Sequence, residues 1–267
     1  MELEAETPEV RNWILKDMLG AGVPLCYLEG FSVKEEKVTA LFERRKSDKD
    51  PSSCSTGEVA SFLTKNESER EWKSKCRLAE ILGVPLYLVI WRDAEETFRI
   101  CSVSCSNSSL SVSLVTDVSN CKGLADWLAP VKGIHVSKKF EEFGRLSIID
   151  KCLRDHGMPW PGDLDGFVMR ANSPSVLIEF ARTRVKSVSQ HNLNDYFPQD
   201  INRWTPLEIA RKCLKVPFLI VTWRSIETKV KVQELIEFNA LSSPPLKMRN
   251  VEILSSDQVV EKLKGFC

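Results

Sequence analysis

Leu78-Ala-Glu-Ile-Leu-Gly-Val-Pro85-Leu-Tyr-Leu-Val-Ile-Trp91 and Ala210-Arg-Lys-Cys-Leu-Lys-Val-Pro217-Phe-Leu-Ile-Val-Thr-Trp223 are one pattern written twice. In each, the end of an amphipathic helix passes through Val-Pro into a continuous apolar run closed by Trp-Arg. Such a run, bounded by proline and arginine, is expected of a central strand buried on both faces. Working outward, the spacing holds: Trp72 precedes Trp91 by nineteen residues, and Trp204 precedes Trp223 by nineteen. Upstream, Gly22-Val-Pro and Leu28-Glu-Gly-Phe31 match Gly157-Met-Pro and Leu164-Asp-Gly-Phe167. Glu29 lies fourteen residues before Glu43, as Asp165 does before Glu179. Downstream, Glu96-Thr97 and Glu227-Thr228 follow the two strand-end tryptophans. Order, spacing and residue type kept together indicate duplication of a whole domain, and two copies are too few for a solenoid. The expected organisation is a first copy over 1–132 and a second over 140–267, joined near 131–142. Such a chain is the single-chain counterpart of a symmetric dimer.

Each copy is expected to open with an amphipathic helix, carried by Val10, Trp13, Ile14 and Met18 in the first and Leu146, Ile149 and Leu153 in the second. Strand pairs follow near 25–32 with 38–45, and near 163–170 with 175–182, separated by polar turns. The Ser- and Lys-rich stretch 47–66 reads as a loop. Then come the tryptophan-bearing helix, the buried strand, one further strand near 97–104 or 228–236, and a closing helix near 121–130 or 256–265. The expected class is α/β, a mixed sheet flanked by helices in each copy.

Acidic and basic residues balance at 37 each, which excludes a global positive field for nonspecific nucleic-acid binding. No apolar stretch approaches the ~20 residues of a membrane span. The acidic start Met-Glu-Leu-Glu-Ala-Glu does not resemble a signal peptide, so a cytoplasmic or nuclear protein without membrane association is expected. Nine cysteines with no Cys-x-x-Cys pair, and only three histidines, argue against a zinc site. Cys76, Cys152 and Cys213 fall at core positions and are expected to be reduced thiols acting as small hydrophobes.

Asp165-Gly-Phe167, then Val176-Leu-Ile-Glu-Phe180, then a helix and a buried strand, resembles the PD-(D/E)XK nuclease superfamily, which includes type II restriction endonucleases and Holliday junction resolvases. The resemblance implies two tandem restriction-endonuclease-like domains related by pseudo-two-fold symmetry. It implies that Asp165 and Glu179 converge on Mg²⁺, which takes oxygen ligands and lowers the pKa of a bound water. It also implies a lysine two residues after the second acid, on the same strand face. Here the sequence departs from the pattern. The lysine position is Ala181 in the second copy, with Arg182 next door. In the first copy it is Arg45, behind the degenerate acids Glu29 and Glu43. Arginine cannot surrender its proton and is not interchangeable with an ammonium.

Basic residues beside the second acidic strand, Arg170, Arg182, Arg184 and Lys186, are candidate phosphate contacts, as are Arg44, Arg45, Lys46 and Lys49 in the first copy. Three readings follow from these residues. The chain is a possible Mg²⁺-dependent endonuclease on DNA or RNA, with Asp165, Glu179 and a displaced Arg182 as its catalytic set. Alternatively it is a nuclease-like fold that binds nucleic acid without cutting it. The third reading is a protein-interaction or scaffold module that kept the fold after losing the chemistry.

Overall fold

In a computed structural model of the chain, the described residues are 3–4, 22–65, 67–92, 95–106, 109–132, 147–196 and 201–267. The expected opening helix of the first copy and most of the joint between the copies lie outside them. The strands are β1 (Leu3–Glu4), β2 (Leu25–Leu28), β3 (Gly30–Lys34), β4 (Lys37–Ser47), β5 (Leu86–Arg92), β6 (Glu95–Ser106) and β7 (Ser109–Val118), then β8 (Leu164–Arg170), β9 (Ser173–Arg182), β10 (Phe218–Trp223), β11 (Lys229–Phe238) and β12 (Leu246–Ser255). The helices are α1 (Thr56–Lys65), α2 (Glu69–Leu82), α3 (Cys121–Lys132), α4 (Ile148–Asp155), α5 (Ile201–Leu214) and α6 (Ser256–Lys264). None of these is long and apolar enough to cross a membrane.

The strands form two mixed sheets, in an α/β fold. The first runs β1-β4-β5-β6-β7 with β3 also paired to β4, and the second runs β12-β11-β10-β9-β8-β2. In the first, β3 and β4 are antiparallel, β4 and β5 parallel, and β5, β6 and β7 successively antiparallel. The senses from β8 to β12 are the same. The registers correspond too. Leu41 faces Leu86 and Leu177 faces Phe218, and each of Leu41 and Leu177 donates its N–H to the preceding proline carbonyl, of Pro85 or Pro217, at 2.9 Å. The Val-Pro step therefore starts the central strand at the same height in both sheets.

The chain divides into two compact units that do not follow the sequence repeat. One comprises Met1–Glu6 and Leu28–Asp163, the other Thr7–Tyr27 and Leu164–Cys267. Among the described residues, 22–27 of the first copy thus belong with the body of the second, and 147–163 of the second with the body of the first. In the first unit α4 supplies Ile149, Cys152 and Leu153 to a core with Phe42, Val89, Trp91, Leu124 and Leu128. In the second, Val23 and Leu25 pack with Val168, Ile178, Val221, Val232 and Val260. The expected single strand over 25–32 is accordingly two strands, β2 and β3, lying in different sheets.

Three further expectations are corrected. The loop expected over 47–66 contains α1, because Ser55 and Glu58 form a reciprocal cap, with Ser55 N–H on Glu58 Oε2 at 2.9 Å and Glu58 N–H on Ser55 Oγ at 3.2 Å. Val59 and Leu63, one turn apart, bury the helix. A fifth strand, β7 or β12, follows the last expected strand in each copy. Both are largely exposed, and their polar residues hide a strand pattern. Cys152 is not a reduced thiol: it forms a disulfide with Cys121, their Cα atoms 5.1 Å apart, a separation a disulfide spans without distortion of the backbone. The seven other cysteines form no disulfide.

Candidate functional site

In the second unit, the antiparallel register that sets Gly166 opposite Ile178 brings the start of β8 to the acid on β9. Asp165 Oδ2 accepts the N–H of Phe180 at 2.8 Å, which ties the first motif acid to the residue after the second. The first unit repeats this contact, with Glu29 Oε2 accepting the N–H of Arg44 at 2.7 Å. In each motif the first acid is thus tied to the residue after the second, Glu29 from the bend between β2 and β3 and Asp165 from β8.

Strand alternation puts Leu177, Glu179 and Ala181 on the face covered by α5, and Ile178, Phe180 and Arg182 on the other. Glu179 is 2% exposed. A carboxylate buried to that degree needs a partner. Its partner is Arg203, from the first turn of α5. Arg203 Nε donates to Glu179 Oε1 at 2.7 Å, Nη2 donates to the same oxygen, and Nη2 also reaches the Phe180 carbonyl at 3.3 Å. The guanidinium rests 5.7 Å over the Trp204 ring, and the side chain is 43% exposed. Arg182 is not brought to the acids. It lies over Trp223 on the opposite face, 5.2 Å from the ring centroid.

The first unit holds a denser cluster. Arg45, fully buried two residues after Glu43, donates to Glu43 Oε2 at 3.2 Å and to both oxygens of Glu67 at 2.7 and 2.9 Å, and lies 3.4 Å from Glu29 Oε1. Lys75 of α2, with no exposed side-chain surface, stands 2.8 Å from Glu43 Oε2 and 2.8 Å from Glu71. Both cations lie against the face of Trp72, whose indole N–H donates to Glu67 at 2.7 Å. Burial pushes Glu29 up to about 7, against the pull of Arg45. Burial also works to raise Glu67, but its hydrogen bonds from Arg45 and Trp72 leave it below the ordinary carboxylate range. Arg45 loses hydration on burial, yet Glu29 and Glu67 hold it well above its ordinary value.

Arg203, Lys75 and Glu67 were not singled out by the motif spacing. Lys75 carried a readable signal: it lies three residues after Trp72, on the stripe that also carries Cys76 and Ala79, so it is a lysine on a buried helix face. The corresponding position after Trp204 is Leu207, an ordinary core residue.

The candidate phosphate contacts are not gathered into one patch. Arg170 pairs with Ser173 at one end of β9, whereas Arg182, Arg184 and Lys186 lie at or beyond the other end. Nine residues of strand separate Ser173 from Arg182, about 30 Å at 3.3 Å per residue. Lys186 is held by Asp195 at 2.6 Å. In the first unit Arg45 is buried, and Arg44 is paired with Asp150 at 2.9 Å and stacked on Trp160.

Among the described residues no group of three or more His, Cys, Asp or Glu side chains is disposed to hold a metal ion. A guanidinium lies on Glu179, and an ammonium and a guanidinium lie on Glu43. The donor sets as arranged fit these cations, not an octahedral Mg²⁺ with its demand for several oxygens.

No family model matches the chain, and no curated protein matches it. Among solved structures it aligns with the crystal structure of Sex pheromone staph-cAM373 precursor at 12% identity, over 95% of this chain and 84% of that one, with a TM-score of 0.18, a value that denotes no shared fold.

Proposed function

We propose that the chain is a tandem pair of nuclease-like domains with pseudo-two-fold symmetry, in which protein cations hold the carboxylates that the superfamily resemblance assigns to Mg²⁺. On this reading it is a non-catalytic interaction or scaffold module. The observation that carries it is Arg203 on Glu179, the one acid pair of the two that keeps an aspartate and a glutamate. Arg45 and Lys75 on Glu43 are the same solution reached with different residues. Matching strand order and register support the duplication. The balanced net charge, and the separation of Arg170 from Arg184 and Lys186, favour a protein partner over DNA or RNA. The test is an assay for cleavage of DNA and RNA with Mg²⁺ or Mn²⁺. The reading requires none above that of a Glu179→Ala control.

One observation favours a second reading, a Mg²⁺-dependent phosphodiesterase in the second unit: Arg203 is held from a side chain 43% exposed, on a surface helix turn. If substrate drew Arg203 away, Asp165 would still be tied to the residue after Glu179. Cleavage lost in Asp165→Ala and in Glu179→Ala would establish this reading in place of the first.

A further inference from the structure

The second unit has a cavity of about 480 Å³ at the C-terminal end of α5, lined in part by Arg211, Lys212, Lys215, Glu234 and Arg249, with Val216 and Ile236 as apolar surface. It is separate from the carboxylate pair. Arg203 and Lys212 are nine residues apart on one helix, about 14 Å along its axis. The cavity is an open depression in which five of the nine lining residues are charged, four of them basic, a lining that suits a small anion.

Two guanidiniums on its wall are fixed by carboxylates. Arg211 donates to Glu208 at 2.7 and 2.8 Å, and Arg249 donates to Glu234 at 2.9 and 2.5 Å. Each pairing uses two of a guanidinium's five donors and leaves the rest oriented. Lys212 stands 3.6 Å from Glu208, a contact already supplied by Arg211. Lys215 is exposed, and among the described residues its side chain makes no hydrogen bond or ion pair. Positive charge is therefore in excess. Arg211 and Lys212 complement the negative end of the helix dipole, but Lys215 lies beyond the last turn, and its charge is surplus to that role.

Lys215 also has a backbone that a lysine adopts poorly, φ 56° in the left-handed region. The first unit has Gly83 at this helix end, φ 68°, the residue such a cap favours. Its positions matching Arg211 and Lys212 are Ala79 and Glu80. The basic wall belongs to the second copy alone and includes a cation held against its conformational preference. Strain of this kind concentrates at functional positions.

We propose that this cavity binds a small phosphate monoester of nucleotide size. The phosphate lies between Lys212 and Lys215, within reach of the oriented guanidiniums, and the organic part rests on Val216 and Ile236. The probe is adenosine 5′-monophosphate, titrated by calorimetry at low salt into the full chain. Adenosine serves as the uncharged comparison and inorganic phosphate as competitor. Saturable binding of the monophosphate, displaced by phosphate and at least tenfold weaker in Lys215→Gly and in Lys212→Gln, is the expected result. Lys215→Gly should at the same time melt no lower than the parent, since glycine relieves the backbone, which separates lost binding from lost fold. Lys122→Gln, removing a charge elsewhere, should bind as the parent does. No saturable binding, equal binding of adenosine, or binding unchanged in Lys215→Gly overturns the proposal. None of these outcomes depends on Asp165 or Glu179.

Discussion

Arg203 places its Nε 2.7 Å from Glu179 Oε1, across the helix-to-sheet boundary of the second unit and twenty-four residues away in sequence. A buried carboxylate on the central face of a sheet is retained at a desolvation cost, and the guanidinium offsets that cost with charge-assisted hydrogen bonds. The first unit meets the same requirement at Glu43 with Arg45 and Lys75, one from the strand itself and one from the helix above it. The two units thus each keep a buried acid in place, with different cations.

Removal of the partner of Glu179 is expected to expose that cost. Arg203→Ala should destabilise the protein by about 2 kcal/mol, as expected for a buried charged acceptor left short of its donor. The double variant Arg203→Ala with Glu179→Leu should recover most of it. Urea unfolding of the two variants measures both numbers. A loss equal in single and double variants would place the destabilisation elsewhere than in the ion pair.

The first unit offers a sharper contrast because Lys75 has a natural apolar counterpart in Leu207. Lys75→Leu alone should cost about 3 kcal/mol, since Glu43 keeps its charge and loses a buried partner. Lys75→Leu combined with Glu43→Gln should be less damaging than the sum of the two single changes, a coupling of about 1–3 kcal/mol in a double-mutant cycle. Additive losses would show that Lys75 and Glu43 do not act as a pair.

Glu29 confers a pH dependence of definite sign. Its folded value is raised from 4.5 to about 7, so between those values the folded state binds more protons than the unfolded state. Stability must therefore fall as pH rises from about 4.5 to about 7, and the penalty is complete above that. Glu67, held low by Arg45, acts in the opposite sense and loses its contribution as pH falls below the ordinary carboxylate range. Glu29→Gln should flatten the decline between pH 5 and 7 in a thermal-melt series. An unchanged slope would remove Glu29 as its source.

The Cys121–Cys152 disulfide closes a loop of thirty-one residues and ties α4, with its buried Ile149 and Leu153, to α3. A crosslink of that span contributes about 4 kcal/mol. Reduction, or the pair Cys121→Ser and Cys152→Ser, should lower the midpoint of unfolding, and peptide mapping without reductant should recover the 121–152 pair. Recovery of both cysteines as free thiols would contradict the crosslink.

What was legible beforehand follows from what is local. The Val-Pro starts of β5 and β10, the strand pairs and the closing helices repeat in sequence, and the observed registers repeat with them. The acidic spacing also translated directly, because strand pairing converts fourteen residues from Glu29 to Glu43 into neighbouring positions. The Ser55–Glu58 cap was readable but was masked by a polar, charged surrounding. β7 and β12 are exposed outer strands whose serines and charges dilute the apolar alternation. Exchange of leading segments, which puts α4 against Phe42 and Trp91, leaves no trace in periodicity, since an amphipathic helix does not name the sheet it covers. Arg203 was hidden for the same reason: an arginine in a first helical turn becomes a site residue only through the sheet beneath it.

The central claim is that side-chain cations, not a dication, hold the motif carboxylates. Calorimetric titration of Mg²⁺ and Mn²⁺ into the wild type, and into Asp165→Ala with Glu179→Ala, tests it most directly. The account predicts no saturable binding in either protein. Stoichiometric binding by the wild type that disappears in the double variant would contradict it.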